Sequence, residues 1–271
     1  MKNNNKIAMI LGAGVLMLGT QPVLAKCSDI TASKLNSAIS TASSKNAVKS
    51  QGGYGLKMWI TVVDESGKIC EVTTNGATGA LAGNSEWLGS RVISAQKAFT
   101  ANAFSLDGYA ISTANLYAAV QPGGSLFGLQ HSNPVDATLA YSGSPSAYGT
   151  KSDPLVGKRI GGVNVFGGGL ALYSGGKKIG AIGVSGDTSC RDHAFVWQIR
   201  ENLGFVPGGT GITTSNYDAA GANPTPLSGA TRGDELILQS GSSSYWEAWA
   251  QPACPNSAVA VGAASGTLQD K

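Results

Sequence analysis

Charge is scarce in this chain: Asp, Glu, Lys and Arg make up 13% of its 271 residues, against about 25% in an ordinary soluble domain. Basic and acidic residues nearly balance, 19 to 16, so there is no electrostatic footprint for nucleic acid or an anionic membrane. Histidine is scarcer still, with His131 and His193 alone, and no CxxC occurs, which leaves a Cys/His zinc site little support. Walker A, G-x-G-x-x-G, HExxH and EF-hand patterns are all missing, so nucleotide and resident-metal chemistry have no motif behind them. The nearest approach to a nucleophile elbow, Gly183-Val184-Ser185-Gly186-Asp187, fails at its last position. Ser185 is therefore expected at a strand end or helix cap.

What is present in quantity is glycine, 38 residues, with a hydrophobic share of 42%. Collagen, coiled coil and acidic disorder are excluded by that composition. The first six residues carry Lys2 and Lys6, an apolar run follows from Ile7 to Leu18, and Thr20 to Ala25 ends on small residues. This is the pattern of a secretory signal peptide cleaved after Ala25. The apolar run is shorter than the roughly 20 residues a membrane span requires, and Lys26 before Cys27 departs from a lipobox. Localisation is thus expected to be periplasmic or extracellular, with no membrane span after signal removal.

Four cysteines, Cys27, Cys70, Cys190 and Cys254, fall after that signal. An even set in an exported chain favours two disulfides, although four cysteines allow three pairings. Pairs Cys27 to Cys70 and Cys190 to Cys254 would tie both chain ends to the core, which terminal segments often need to stay ordered.

Apolar spacing predicts a helix within Asp29 to Val48, a hairpin of Leu56–Val63 with Ile69–Thr74, and a helix from Arg91 to Phe104 capped by Ser90. Val92, Ala95, Phe99 and Ala103 mark that helix's expected core face. A short helix is expected from Ser112 to Val120. Gln121 to Gly162 has no usable period but contains Phe127, Tyr141 and Tyr148, so it reads as an ordered, site-forming loop. A strand at Val163–Phe166 leads through three glycines to a second hairpin, Leu170–Tyr173 with Lys178–Val184. Asp187 or Thr188 caps a helix from Ser189 to Asn202, ended by Gly204. Beyond Val206 the chain reads as an irregular wrapping tail to residue 271, with one strand candidate at Glu235–Gln239 and an aromatic patch at Tyr245, Trp246 and Trp249. The order is that of an α+β fold.

Three blocks carry a resemblance: Gly89 to Ala98 (GSRVISAQKA), Gln121 to Leu129 (QPGGSLFGL), and Val165 to Leu170 with Ile179 to Asp187. Together they resemble the GlcG/HbpS family of haem-binding proteins over about Gly55 to Leu203. The resemblance implies a PAS/profilin-like domain spanning residues 26–205, with a five-stranded antiparallel sheet flanked by helices and usually assembled into a homo-oligomer. It also implies binding, and in some members breakdown, of haem. Similar domains sit beside corrinoid and glycolate enzymes, so an accessory module for another small molecule is the alternative.

The family supplies no axial-ligand motif for this chain, and the candidate ligands rest on chemistry. Haem needs an apolar slot, an axial donor and partners for two propionates. His131, in the long loop beside Phe127 and Leu129, is the leading iron donor, and an ordinary loop histidine is the competing reading. His193 at a helix start comes second, where the helix dipole favours the neutral ring. Tyr148 and Tyr141 offer phenol oxygens, with packing the plainer role. Lys158 and Arg159 are candidate propionate partners, as are Arg91 and Lys97, all four being ordinary basic residues otherwise. The signal reading predicts that the exported protein begins at Lys26. Mass spectrometry of the secreted chain checks it, and an intact Met1 terminus contradicts it.

Overall fold

The computed structural model describes residues 27–44, 52–79, 87, 89–214, 216–217, 224–225, 231–239 and 249–255. The expected signal segment and the aromatics Tyr245 and Trp246 lie outside them.

Helix α1 spans Ala32–Ser44, β1 Trp59–Asp64, β2 Ile69–Thr74 and α2 Ser90–Phe104. Single turns α3 (Leu129–Ser132) and α4 (Ala137–Ala140) follow, then β3 (Gly169–Ser174), β4 (Lys177–Ser185), α5 (Ser189–Leu203) and a separate two-residue pair, β5 (Asn216–Tyr217) with β6 (Pro224–Thr225). The main sheet runs β2-β1-β4-β3 with every neighbouring pair antiparallel. Two local hairpins are thus joined through their inner strands, and β1 pairs Trp59 with Ser185 and Val63 with Ala181.

Among the described residues the sheet has four strands, one fewer than expected. Val163–Phe166 does not become the fifth, because its backbone N–H groups are satisfied elsewhere: Val163 donates to Asn133 O, Asn164 to Thr100 Oγ1, and Phe166 to Asn164 Oδ1. Both outer strands are covered instead by irregular segments, through which Gly157 N donates to Ile69 O and Thr113 N to Gly169 O. Ile69 N donates to Lys158 O on the β2 edge and Tyr173 N to Phe205 O on the β3 edge, which removes the exposed ladder that would pair with another chain.

One face of the sheet buries Ile60, Val62, Leu170, Leu172, Ile182 and Val184 against α1 and α5, whose Leu35, Ile39, Phe195, Ile199 and Leu203 are buried. The other face meets α2. Here Ala181, Gly183 and Ser185 alternate with the opposite-facing residues, as a strand's period of two requires. A Cβ on Gly183 would lie 2.0 Å from Ser94 O and 2.5 Å from Ala98 N, and one on its ladder partner Gly169 would lie 2.5 Å from Lys97 O. The α2 backbone therefore rests directly on two facing glycines. Ser94 and Ala98 are small for the same reason, and Ser94 bonds Thr61 across the interface at 2.7 Å.

That close approach corrects the expected α2 face. Ala103 is exposed and Phe99 half-buried, whereas Arg91, Ser94, Lys97 and Ala101 are buried. The helix is covered twice, by the sheet and by the long loop, whose Ala140, Leu155 and Ile160 pack on Val92 and Ala95. Gly89 occupies the N-cap position and Ser90 is the first helical residue. Ser112–Val120 forms two 3-10 turns, Ala114–Leu116 and Ala118–Val120. For α5 the local chemistry is as expected: Thr188 Oγ1 caps Arg191 N and Gly204 ends the helix at φ 74°.

The chain ends are stapled by Cys27–Cys70 and Cys190–Cys254. The described part of the tail also holds to α5 through a buried ion pair, Arg200 with Asp234. Glu235–Gln239 forms only an isolated bridge, Leu238 with Gln251. Gly183→Ala is expected to lower stability by about 3 kcal/mol, because neither backbone can yield to the added methyl. Urea unfolding measures it, and a change below about 0.5 kcal/mol contradicts the close packing.

Candidate functional site

The glycine run 167–169 that links the Val163–Phe166 segment to β3 supports a cavity at the start of α2 and α5. A Cβ on Gly168 would meet Val184 O at 2.5 Å, Asp192 Cβ at 2.9 Å and Lys97 Nζ at 3.0 Å. One on Gly167 would meet Ser189 O at 2.7 Å. These absences of side chain let Lys97 of α2 reach Asp192 of α5.

The cavity holds about 640 Å³, inside the range of small-molecule and cofactor sites, ~300–1,000 Å³. Its mouth is aromatic: Tyr54 and Trp87 form an edge-to-face pair with centroids 6.5 Å apart, and Tyr117 and Phe166 a tilted pair at 6.1 Å. Tyr54, Trp87 and Phe166 are roughly half exposed at the rim. Its floor is polar, with Ser90, Lys97, Ser185, Thr188, Ser189 and Asp192. The remaining wall is the tail segment 251–255, held by the Cys190–Cys254 disulfide and by Gln251, which accepts from Gly167 N and donates to Ser189 Oγ.

Two carboxylates organise the floor. Asp187 accepts backbone N–H from Tyr54, Gly55, Leu56 and Thr188 at 2.7–3.0 Å, which pins the loop carrying Tyr54. Asp192 accepts Lys97 Nζ at 2.8 Å and Asp187 N at 3.0 Å. Lys97 also donates to Val184 O at 3.0 Å. Both side chains of the pair are almost wholly buried. Burial pushes the Asp192 carboxyl up to about 6, with Lys97 pulling against it.

None of the four residues expected as ligands lines this cavity. His131 is exposed on α3. His193 is fully buried beside the cavity floor, stacked on Trp197 with ring centroids 6.2 Å apart. Burial, reinforced by the Arg200 and Lys97 charges, pushes its ring down to about 3. Tyr148 lies under the Arg91 guanidinium, 3.7 Å from its ring centre, and Arg91 pairs with buried Asp153. Arg159 bonds Ser66 in the β1–β2 turn, at the far end of β1 from Tyr54. Lys158 donates no side-chain bond among the described residues, and Tyr141 is exposed. The loop Gln121–Gly162 is ordered, but it supplies no cavity residue. Of the sequence candidates, Lys97 alone is at the site.

The model of the family described as "Haem degrading protein HbpS-like" matches residues 30–200. The chain belongs to the HbpS-like family. The match contains α2, β4 and the first turns of α5, whereas the tail wall lies beyond it. No curated protein matches the chain. Among solved structures it is similar to the Klebsiella pneumoniae protein ORFY, at 20% identity and TM-score 0.44, over 70% of this chain and 98% of that one. It is also similar to the protein of a PduOC:haem complex, at 22% and 0.42 over 66% and 95%. A double mutant of Streptomyces reticuli HbpS aligns at 17% and 0.41 over 72% and 97%.

The carboxyl of Asp192 is expected to titrate near pH 6, and Lys97→Met to move that midpoint higher by removing the cation. Its folded value lies above the ordinary ~3.9, so its contribution to stability is full below about pH 4 and is lost as pH rises through about 6. Carbon-detected NMR of the carboxyl reads both, and a midpoint near 4 in the folded protein contradicts the buried pair.

Proposed function

We propose that this chain is an exported haem-binding protein that sequesters or relays haem, and that the cavity between the starts of α2 and α5 is where haem binds. The family match over residues 30–200 carries the proposal. The cavity fits a planar apolar ring system in volume and in its two aromatic pairs. Within the described lining Tyr54 and Tyr117 are the side chains whose phenol oxygens, on losing the proton, are of the kind that ligate haem iron. No histidine lines it among the described residues. Tyr117 is the better placed, being half-buried where Tyr54 is 52% exposed. His131, Tyr148 and Arg159 could serve only a haem held outside this cavity and so take no part in this reading, and His193 serves none without unpacking the α5 core.

Export is supported by the amino-terminal pattern and the two disulfides, which belong to an oxidising compartment. Among the described residues no helix is long and apolar enough to cross a membrane. The PAS/profilin-like assignment and a homo-oligomer belong to the same reading. Their support is the open antiparallel sheet covered on both faces, and a charge-poor surface on which Leu106, Phe127 and Tyr141 are more than 60% exposed. The family's description also names haem breakdown, which release of a bilin in the presence of a reductant and oxygen would reveal.

Titrating haem into the mature protein is expected to give a saturable Soret shift at micromolar protein, and no shift contradicts the proposal. Tyr117→Phe is expected to alter that spectrum and His131→Ala to leave it unchanged. The opposite pattern places the iron at the loop histidine.

A further inference from the structure

The polar floor of the cavity contains more hydrogen-bonding capacity than the fold uses. Ser90 is 2% exposed and Ser185 5% exposed, both line the cavity, and neither hydroxyl has a hydrogen-bond partner among the described residues. Lys97 carries three donors and directs two of them to Val184 O and Asp192 Oδ2. Both hydroxyls open onto the cavity, where a ligand that displaces water has to take over their hydrogen bonds. Their presence around one cavity indicates a ligand that completes them.

The pattern of unused donors identifies that ligand's head. Ser90 opens α2, a helix with no side-chain cap and no acid in its first turn. Among the described residues the partial positive charge of that helix end therefore has no capping side chain to meet it. The two acids nearby are already engaged: Asp187 by four backbone N–H groups and Asp192 by Lys97 and Asp187 N. The floor carries two carboxylates to one ammonium, but both carboxylates are engaged by those donors, which leaves the two hydroxyls and the third N–H of Lys97 for an incoming acceptor. The mouth, lined by Tyr54, Trp87, Tyr117 and Phe166, suits a flat apolar body.

We infer that Ser90, Ser185 and Lys97 form a carboxylate subsite, so that the cavity takes a planar aromatic acid with its carboxylate inserted first. For a porphyrin this rests on the haem reading above and assigns one propionate to the floor. For the carboxylate itself it rests on the hydroxyls alone. A ligand whose acid is masked leaves the same donors unsatisfied and pays their burial, which is a discrimination of about tenfold or more.

The test uses the mature protein with both disulfides intact and two matched pairs of probes: protoporphyrin IX against its dimethyl ester, and 1-pyrenebutyrate against 1-pyrenebutanol. Fluorescence titration is expected to show each acid binding at least about tenfold tighter than its neutral partner. The Ser90→Ala/Ser185→Ala variant is expected to lose that preference while the neutral probes bind as before; a thermal melt confirms that the variant folds. Equal binding of acid and ester overturns the subsite and leaves the haem reading standing. Discrimination between the pyrene probes with no porphyrin bound overturns the haem reading and leaves the subsite standing. Retention of the acid preference in the double variant overturns the assignment to these hydroxyls.

Discussion

The buried Lys97–Asp192 pair is the constraint on which the rest of the molecule turns. It joins α2, on one face of the sheet, to α5, on the other, past the end of β4. Two elements separated by a sheet layer can touch through side chains only where the backbone between them is bare, and Gly168 supplies that gap. Removing one partner of such a pair leaves an uncompensated buried charge, a loss of about 3–5 kcal/mol. The geometry places the same pair under the cavity, so the contact that orders the two helix starts also polarises the floor between them.

A chain with few charges has spent several of them inside. Arg91 with Asp153 ties the long loop to α2, Lys97 with Asp192 ties the two principal helices, and Arg200 with Asp234 ties the tail to α5. Each joins segments far apart in sequence. Buried ion pairs are weak sources of net stability, but breaking one partner leaves a costly buried charge, so each pair holds the loop or tail it joins in place. Scarcity of surface charge and abundance of glycine are then two sides of one packing solution: glycine lets helices, loops and strands approach until paired charges meet across them.

Much of the fold was legible in the sequence because it is local. The two hairpins, the Thr188 cap and the Gly204 stop are set by residues within a few positions of one another. The pairing of β1 with β4 is not local, and neither is the failure of Val163–Phe166 to join the sheet, which depends on Thr100 and Asn133 from other segments. The disulfide pairing is the one of three possible pairings that ties both end segments to the core, as expected, although cysteine spacing alone does not select it.

The site was less legible. Iron chemistry points to the two histidines, yet the cavity is lined by hydroxyls, aromatics and one buried ion pair. Ser90 and Ser185 lie at element ends, as their sequence context implies; what the sequence does not show is that those ends converge. A signal is present in the helix GSRVISAQKA: Lys97 lies one turn beyond Ser94 and Ile93 and next to Ala98, with the small Ala101 one turn further on. A lysine amid small residues on such a helix calls for a buried acid, and Asp192, in the first turn of α5, was a candidate for it.

The most direct test of the cavity as the haem site is paramagnetic line broadening in ¹⁵N-labelled mature protein titrated with haem. The account predicts broadening centred on the amides of Tyr54, Tyr117, Ser185 and Ser189. Broadening centred on His131 and its loop, with those four amides unaffected, would contradict it.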